Sequence, residues 1–157
     1  MTSASAPAPP GDAGATPDPR EVADVVRRYY AVVSDLGSTA DELLALLDPA
    51  VRVTEQPNLL TPRRAVRHLD ATLAGFAAGK RLLREQDFDV HEVLVDGDRA
   101  AVRATWTGTV GVDAAGFTAG TRLVAHVAAL LTVRGGRVVE HATYDCYEPF
   151  ERSLPAS

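Results

Sequence analysis

Residues 140–150 read EHATYDCYEPF. A strand points successive side chains to opposite faces, so His141, Thr143, Asp145 and Tyr147 fall on one face if this stretch is extended. The segment before it, TRLVAHVAALLTV, carries His126, and Arg134-Gly135-Gly136-Arg137 lies between the two. Gly-Gly suits a two-residue hairpin turn, whose central positions need positive φ. Such a turn opposes Arg134 to Arg137, and counting back sets Leu130 against His141, Ala128 against Thr143 and His126 against Asp145. Directly opposed residues share a face with Cβ atoms about 5 Å apart. One face then carries a His126–Asp145 pair with His141, Thr143 and Tyr147 nearby. The other carries Val127, Ala129, Leu131, Ala142, Tyr144 and Cys146. A carboxylate beside an imidazole fixes its tautomer and raises its basicity, which makes a general base near neutral pH. In that reading His126 is the base, Asp145 orients it, and Tyr29 or Tyr30 supplies a hydroxyl.

Plainer readings stand beside each of these. A His–Asp pair on a sheet also arises as two buried polar groups satisfying one another, or at a dimer interface. A three-residue loop or a bulge would move the register and separate the pair. Of Tyr29 and Tyr30, one at least belongs to the core. Trp106 and Phe76 read as apolar wall, Cys146 as an ordinary buried or interface thiol, and His91 as inert. Arg63, Arg64 and Arg67 read as a solvated helix face. His126, His141 and Asp145 make a metal triad only on paper, because four residues of strand separate His141 from Asp145 by about 13 Å. No phosphate loop or dinucleotide fingerprint appears, so no metal and no cofactor is expected.

The elements that must position these residues follow from periodicity. Asp18-Pro19 caps and opens a helix with Val22, Val25, Val26, Tyr29, Tyr30 and Val33 at helical spacing, ended by Gly37. Ser38 or Thr39 caps a short second helix with Leu43, Leu44, Leu46 and Leu47, stopped by Asp48-Pro49. AVRVTEQP is a short strand closed by Pro57. Thr61-Pro62 opens a third helix with Ala65, Val66, Leu69, Leu73 and Phe76 on one side, ended by Gly79. The period then becomes two. FDVHEVLV turns at Asp96-Gly97-Asp98 into RAAVRATWTGTV, and the two strands around Gly135-Gly136 follow. Three helices segregated from a mostly antiparallel sheet make an α+β domain.

The chain has 157 residues, 46% of them apolar, and a net charge of −5. This is one domain with a sizeable core. Without a Lys/Arg-rich run, nucleic acid is not an expected partner. No apolar run approaches a membrane span. The single cysteine precludes an internal disulfide and agrees with a cytoplasmic setting. Residues 1–18, rich in Ala and Pro and without a basic n-region, read as a disordered tail and not a secretory signal. The domain spans 19–150, and 151–157 is a C-terminal tail.

The order of these elements resembles the nuclear transport factor 2-like superfamily, and within it the SnoaL-like group. The pieces that carry the resemblance are VVRRYYAVV, LLALLDPAVRV, VDGDRAAVRATWTGT and RGGRVVEHATYD. The resemblance implies a cone: a strongly curved sheet wrapped around the helices, with an internal pocket and a homodimer packed sheet to sheet. It does not imply one function, since such folds serve as cyclases, isomerases, dehydratases, hydrolases and non-catalytic modules. Steroid-isomerase members of the superfamily place a Tyr in the first helix, a base before a Pro after the first strand, and a protonated Asp on the penultimate strand. By local pattern these fall on Tyr29, Gln56 and a position near Ala128. Gln cannot abstract a proton and Ala cannot donate to an oxyanion, so that route is not expected. Glu55, one residue away, falls on the face opposite Gln56. The Ala128 position would lie inside the cone, and His126 and Asp145 with it.

Two functions follow from this reading. One is binding of a small, mostly apolar molecule with cofactor-free acid–base chemistry. The other is a non-catalytic binding or dimeric assembly module. The candidate residues are His126, Asp145 and Tyr29 for catalysis, with Tyr30, Phe76, Trp106, His141, Thr143 and Tyr147 lining the pocket.

Overall fold

Asp18 opens the first ordered element as its residue type requires: its Oδ1 accepts from the Arg20 N–H at 2.9 Å, and Pro19 takes the first helical position. In the computed structural model, which describes residues 16–151, this helix is α1 (Pro19–Ser34). Most of the expected tail, residues 1–15, and residues 152–157 lie outside the described residues. Val22, Val25, Val26, Tyr29 and Tyr30 form its buried stripe. Helix α2 (Ala40–Leu44) starts with a complete capping box between Thr39 and Glu42. It ends earlier than expected, and Asp48-Pro49 lies inside β1 (Leu47–Glu55) instead of ending a helix.

The third helix differs most from its expectation. Residues 65–67 form strand β2 (Ala65–Arg67), and α3 (Leu69–Leu82) begins only after it. Thr61 is not a helix cap. Its N–H is drawn to the Asn58 side-chain oxygen, as is the Leu60 N–H, both at 2.8 Å, which closes a local turn. Pairing of β2 with β1, Val66 opposite Thr54, covers an edge that would otherwise expose backbone donors and acceptors. Arg67, expected on a solvated helix face, instead reaches Glu55 at 2.8 Å.

The remaining strands are β3 (Leu83–Asp96), β4 (Arg99–Val110), β5 (Arg122–Arg134) and β6 (Arg137–Tyr147). The sheet order is β2-β1-β6-β5-β4-β3, with β1 parallel to β6 and every other pair antiparallel. This is the expected α+β architecture: three helices on a curved, unclosed sheet. Gly135 and Gly136 both have positive φ, 58° and 73°, and Arg134 pairs with Arg137 as the turn chemistry demands.

Beyond the turn the register slips by one. Val133 pairs with Val138, but Thr132 pairs with Glu140, so Val139 is an extra residue on β6. Such a bulge changes every partner beyond it. Leu131 now opposes His141, Ala129 opposes Thr143, Val127 opposes Asp145 and His126 opposes Cys146. The buried face of β5 (Leu123, Ala125, Val127, Ala129, Leu131) is therefore continuous with His141, Thr143, Asp145 and Tyr147. Ala128, which the resemblance set inside the cone, is exposed on the outer face.

The core lies between α1 and the inner face of the sheet. Ala100, Ala104, Ala125 and Ala129 are almost fully buried there. These short side chains on β4 and β5 let α1 come close and leave unfilled space further along the strands.

Candidate functional site

The unfilled space is a cavity of about 140 Å³, lined chiefly by aromatic and apolar side chains from α1 and from strands β3 to β6. Of the candidate residues, Tyr29, Tyr30, Trp106, His141, Thr143, Asp145 and Tyr147 border it, together with Phe88 and Val33, which were not among the candidates. Phe76 does not; it borders a second cavity under α3. His126 does not either. It lies on the outer face, 61% exposed, with Nε2 2.9 Å from the Glu148 carboxylate. The expected His126–Asp145 pair does not form, because the bulge at Val139 puts the two residues on opposite faces. Cys146, expected to be buried or at an interface on the face away from His126, is exposed directly beside it. His91 is on the outer face too, with Nε2 2.8 Å from the Thr105 hydroxyl.

The imidazole inside the cavity is that of His141, 8% exposed. The Tyr29 hydroxyl lies 3.1 Å from Nδ1, and the Tyr30 hydroxyl 3.5 Å from Nε2. Residues 29 and 30 are adjacent on α1, and their rings meet edge to face at 5.5 Å, so both hydroxyls can converge on one ring. Burial pushes the His141 pKa down to about 4, so at neutral pH the imidazole is uncharged. A neutral imidazole has one N–H and one lone pair. One tyrosine must therefore donate to it and the other accept from it. The accepting tyrosine keeps its own O–H proton free. Burial also raises both phenols well above their usual range, so both stay protonated.

Asp145 supplies the opposite chemistry. Its carboxyl pKa is raised by burial, opposed by a 2.5 Å hydrogen bond from the Thr143 hydroxyl, and raised further by the nearby negative charge of Glu55. Glu55 lies on the face opposite Gln56, as strand alternation predicts, and that face is the inner one. It is the face of buried Val51 and Val53, while Gln56 borders a groove on the outer face. Burial favours a neutral Glu55. Hydrogen bonds from Asn58 (2.9 Å), Thr61 (2.7 Å) and Arg67 (2.8 Å), with the Arg67 charge, outweigh it and bring the pKa below its ordinary value. Two carboxyls on neighbouring strands thus have environments that push them apart: Glu55 holds its charge, and Asp145 holds a proton more readily than usual. A signal for this was present in the sequence, an acid ending a strand followed closely by Asn58, Thr61 and Arg67. It becomes legible only once β2 is recognised as a strand.

Trp106 and Tyr147 close the far wall, ring centroids 6.1 Å apart. The Trp106 N–H donates to Gln86 Oε1 at 3.1 Å, and Gln86 in turn donates to the Val33 carbonyl at 2.7 Å, which fixes the indole against α1. Among the described residues no group of three His, Cys, Asp or Glu side chains is placed to hold a metal. No described helix is long and apolar enough to cross a membrane.

A curved six-stranded sheet around three helices, with an aromatic cavity between them, is the nuclear transport factor 2-like cone. Solved structures share it. IdmH of Streptomyces antibioticus, a proposed polyketide cyclase, superposes with a TM-score of 0.67 at 20% identity, over 79% of this chain and 91% of that one. A proposed SnoaL-like polyketide cyclase of Jannaschia sp. CCS1 gives 0.68 at 18% identity, over 85% and 91%. A protein of Catenulispora acidiphila with a ketosteroid isomerase-like fold, crystallised with trimethylamine, gives 0.61 at 16% identity, over 77% and 84%. No curated protein sequence matches the chain. The family model for the SnoaL-like domain matches residues 26–141, and the chain belongs to that family.

Proposed function

We propose that this protein binds a small, mostly apolar carbonyl compound in its cone cavity and catalyses cofactor-free proton transfer on it, of the cyclase or isomerase type. The observation that carries this reading is the half-buried Asp145 carboxyl, its pKa raised, in an aromatic cavity that also holds a phenolic O–H not used by His141. A base with a raised pKa is better matched to a neutral solution than an ordinary aspartate. Asp145 takes a proton from the carbon beside the carbonyl. The electron pair moves to the carbonyl oxygen, and the free tyrosine O–H stabilises the charge there. Asp145 then returns the proton to the product. His141 orients the two tyrosines: both ring nitrogens face their hydroxyls, and burial weakens the imidazole as a base. The cyclase-type descriptions of IdmH and the Jannaschia protein agree with such chemistry.

The test is a thermal-shift screen of the purified protein against aromatic polyketides, steroids, terpenoid epoxides, lactones and fatty acids. A ligand at about a hundred times its dissociation constant stabilises by roughly 2.7 kcal/mol, a shift of several degrees. For a turned-over hit, Asp145→Asn should lower kcat by about 10²–10⁴-fold while the ligand still shifts the melting temperature. Unchanged turnover in that variant would remove Asp145 from the chemistry. A flat response across the panel would favour the non-catalytic module.

We further propose a homodimer formed through the outer face of the sheet. Leu130 and Tyr144 are 44% and 46% exposed there, neighbours on β5 and β6 among the short side chains of Ala101, Ala128 and Ala142.

A further inference from the structure

Helix α3 buries none of its residues, although it is fourteen residues long. Beneath it, against α1, α2 and β3, lies the second cavity, of about 230 Å³, bordered by Tyr29, Val33, Leu43, Phe76 and Gln86. From α3 itself it is faced by Thr72, Gly75, Phe76 and Gly79. That is the three- and four-residue spacing of a single helix face. Glycine inside a helix costs about 1 kcal/mol relative to alanine. Nothing lies within 4 Å of where a Cβ would stand at Gly75 or Gly79, so no neighbour forbids a side chain at either position. The Thr72 hydroxyl is buried there without a hydrogen-bond partner among the described residues, whereas polar groups in such places are normally paired. Gln86, the other polar wall, is already committed to Val33 and Trp106.

This cavity and the one holding Asp145 share Tyr29 and Val33 as walls. At about 140 Å³ the first is smaller than sites for drug-sized ligands, which measure roughly 300–1,000 Å³, whereas the two together enter that range. We propose that the two cavities form one elongated site, with the space under α3 taking the tail of the ligand. The inference rests on the ligand-binding reading above and deepens it. The ligand class is an extended, mainly apolar molecule. Its reactive carbonyl head lies by Asp145 and the tyrosines, where a phenol can sit as a non-reacting analogue. Its tail runs past Val33, with an oxygen function in the natural ligand to meet the Thr72 hydroxyl. The bare glycines leave the width for that tail.

The test uses 4-alkylphenols of increasing chain length, from ethyl to nonyl, read by quenching of Trp106, the only tryptophan and a wall of the head cavity. For wild type, affinity should tighten by about fourfold for each CH₂ that becomes buried. Gly75→Leu and Gly79→Leu, which favour the helix and fill the space, should abolish that gain while 4-ethylphenol binds as before. A chain-length gain that survives in both leucine variants would overturn the inference but leave the head site intact. If no phenol, short or long, quenches Trp106, the ligand-binding reading itself fails, and this inference with it.

Discussion

His141 shows how one residue's environment decides its chemistry. In solution an imidazole titrates near 6.5, whereas here burial holds it neutral down to about 4. Between those values the unfolded chain binds a proton that the folded chain does not, so stability falls as pH drops from 6.5 toward 4. The whole shift corresponds to a loss on the order of 3 kcal/mol. Asp145 acts in the opposite sense. Its folded pKa is raised, so its contribution is present below the unfolded value of 3.8 and is lost as pH rises through the folded pKa. His141→Gln should therefore show a shallower decline of melting temperature between pH 6.5 and 4 than wild type. Parallel declines would show that His141 is not the group that titrates. Sequence reasoning put this histidine on the right strand beside Thr143, Asp145 and Tyr147, but assigned the chemistry to His126. Nothing in the types of His126 and His141 separates them; only burial does.

At the scale of elements, the site depends on two local irregularities. One is the extra residue Val139, which turns the Asp145 face toward α1. The other is the close approach of β4 to its own Trp106. A Cβ on Gly108 would stand 2.6 and 2.7 Å from Cζ2 and Cη2 of that ring. Gly108→Ala should push the indole off its seat, destabilise by about 1–3 kcal/mol and shift the Trp106 emission. An unchanged emission spectrum with wild-type stability would mean that the ring has room to move. The helices were legible where their caps were explicit, as at Asp18 and Thr39. The start of the third was not, because Ala65 and Val66 satisfy a helical pattern as well as a strand pattern. What made them a strand was an unpaired edge on β1, which no local pattern contains.

At the scale of the whole molecule, the sheet separates two faces of different character. The inner face buries small apolar residues and carries half-buried Asp145 on the cavity wall, with Glu55 on the neighbouring strand β1. The outer face carries exposed Leu130 and Tyr144 with ion pairs such as Arg103–Glu92 and Arg52–Glu140. Exposed ion pairs of this kind contribute little to folding stability. If the outer face packs against a second copy, Leu130→Glu with Tyr144→Glu should yield a monomer by analytical ultracentrifugation, with the fold intact by circular dichroism. A wild-type protein that is already monomeric at micromolar concentration would dispose of that proposal.

The amino-acid sequence alone determined the type and order of nearly every element, the glycine turn at 135–136 and the family. Each of these rests on local periodicity, caps or turn residues, which are written into neighbouring positions. It also determined that residues 141, 143, 145 and 147 share a face, since strand alternation is local. Which residues face them, and which side is inside, was decided only in three dimensions. One bulged residue shifts the partner of every position beyond it; burial then assigns neutrality to His141 and a raised pKa to Asp145, while hydrogen bonds and the Arg67 charge keep Glu55 ionised. Those assignments depend on neighbours distant in sequence, such as Tyr29 for His141 and Arg67 for Glu55, which only the folded chain brings together.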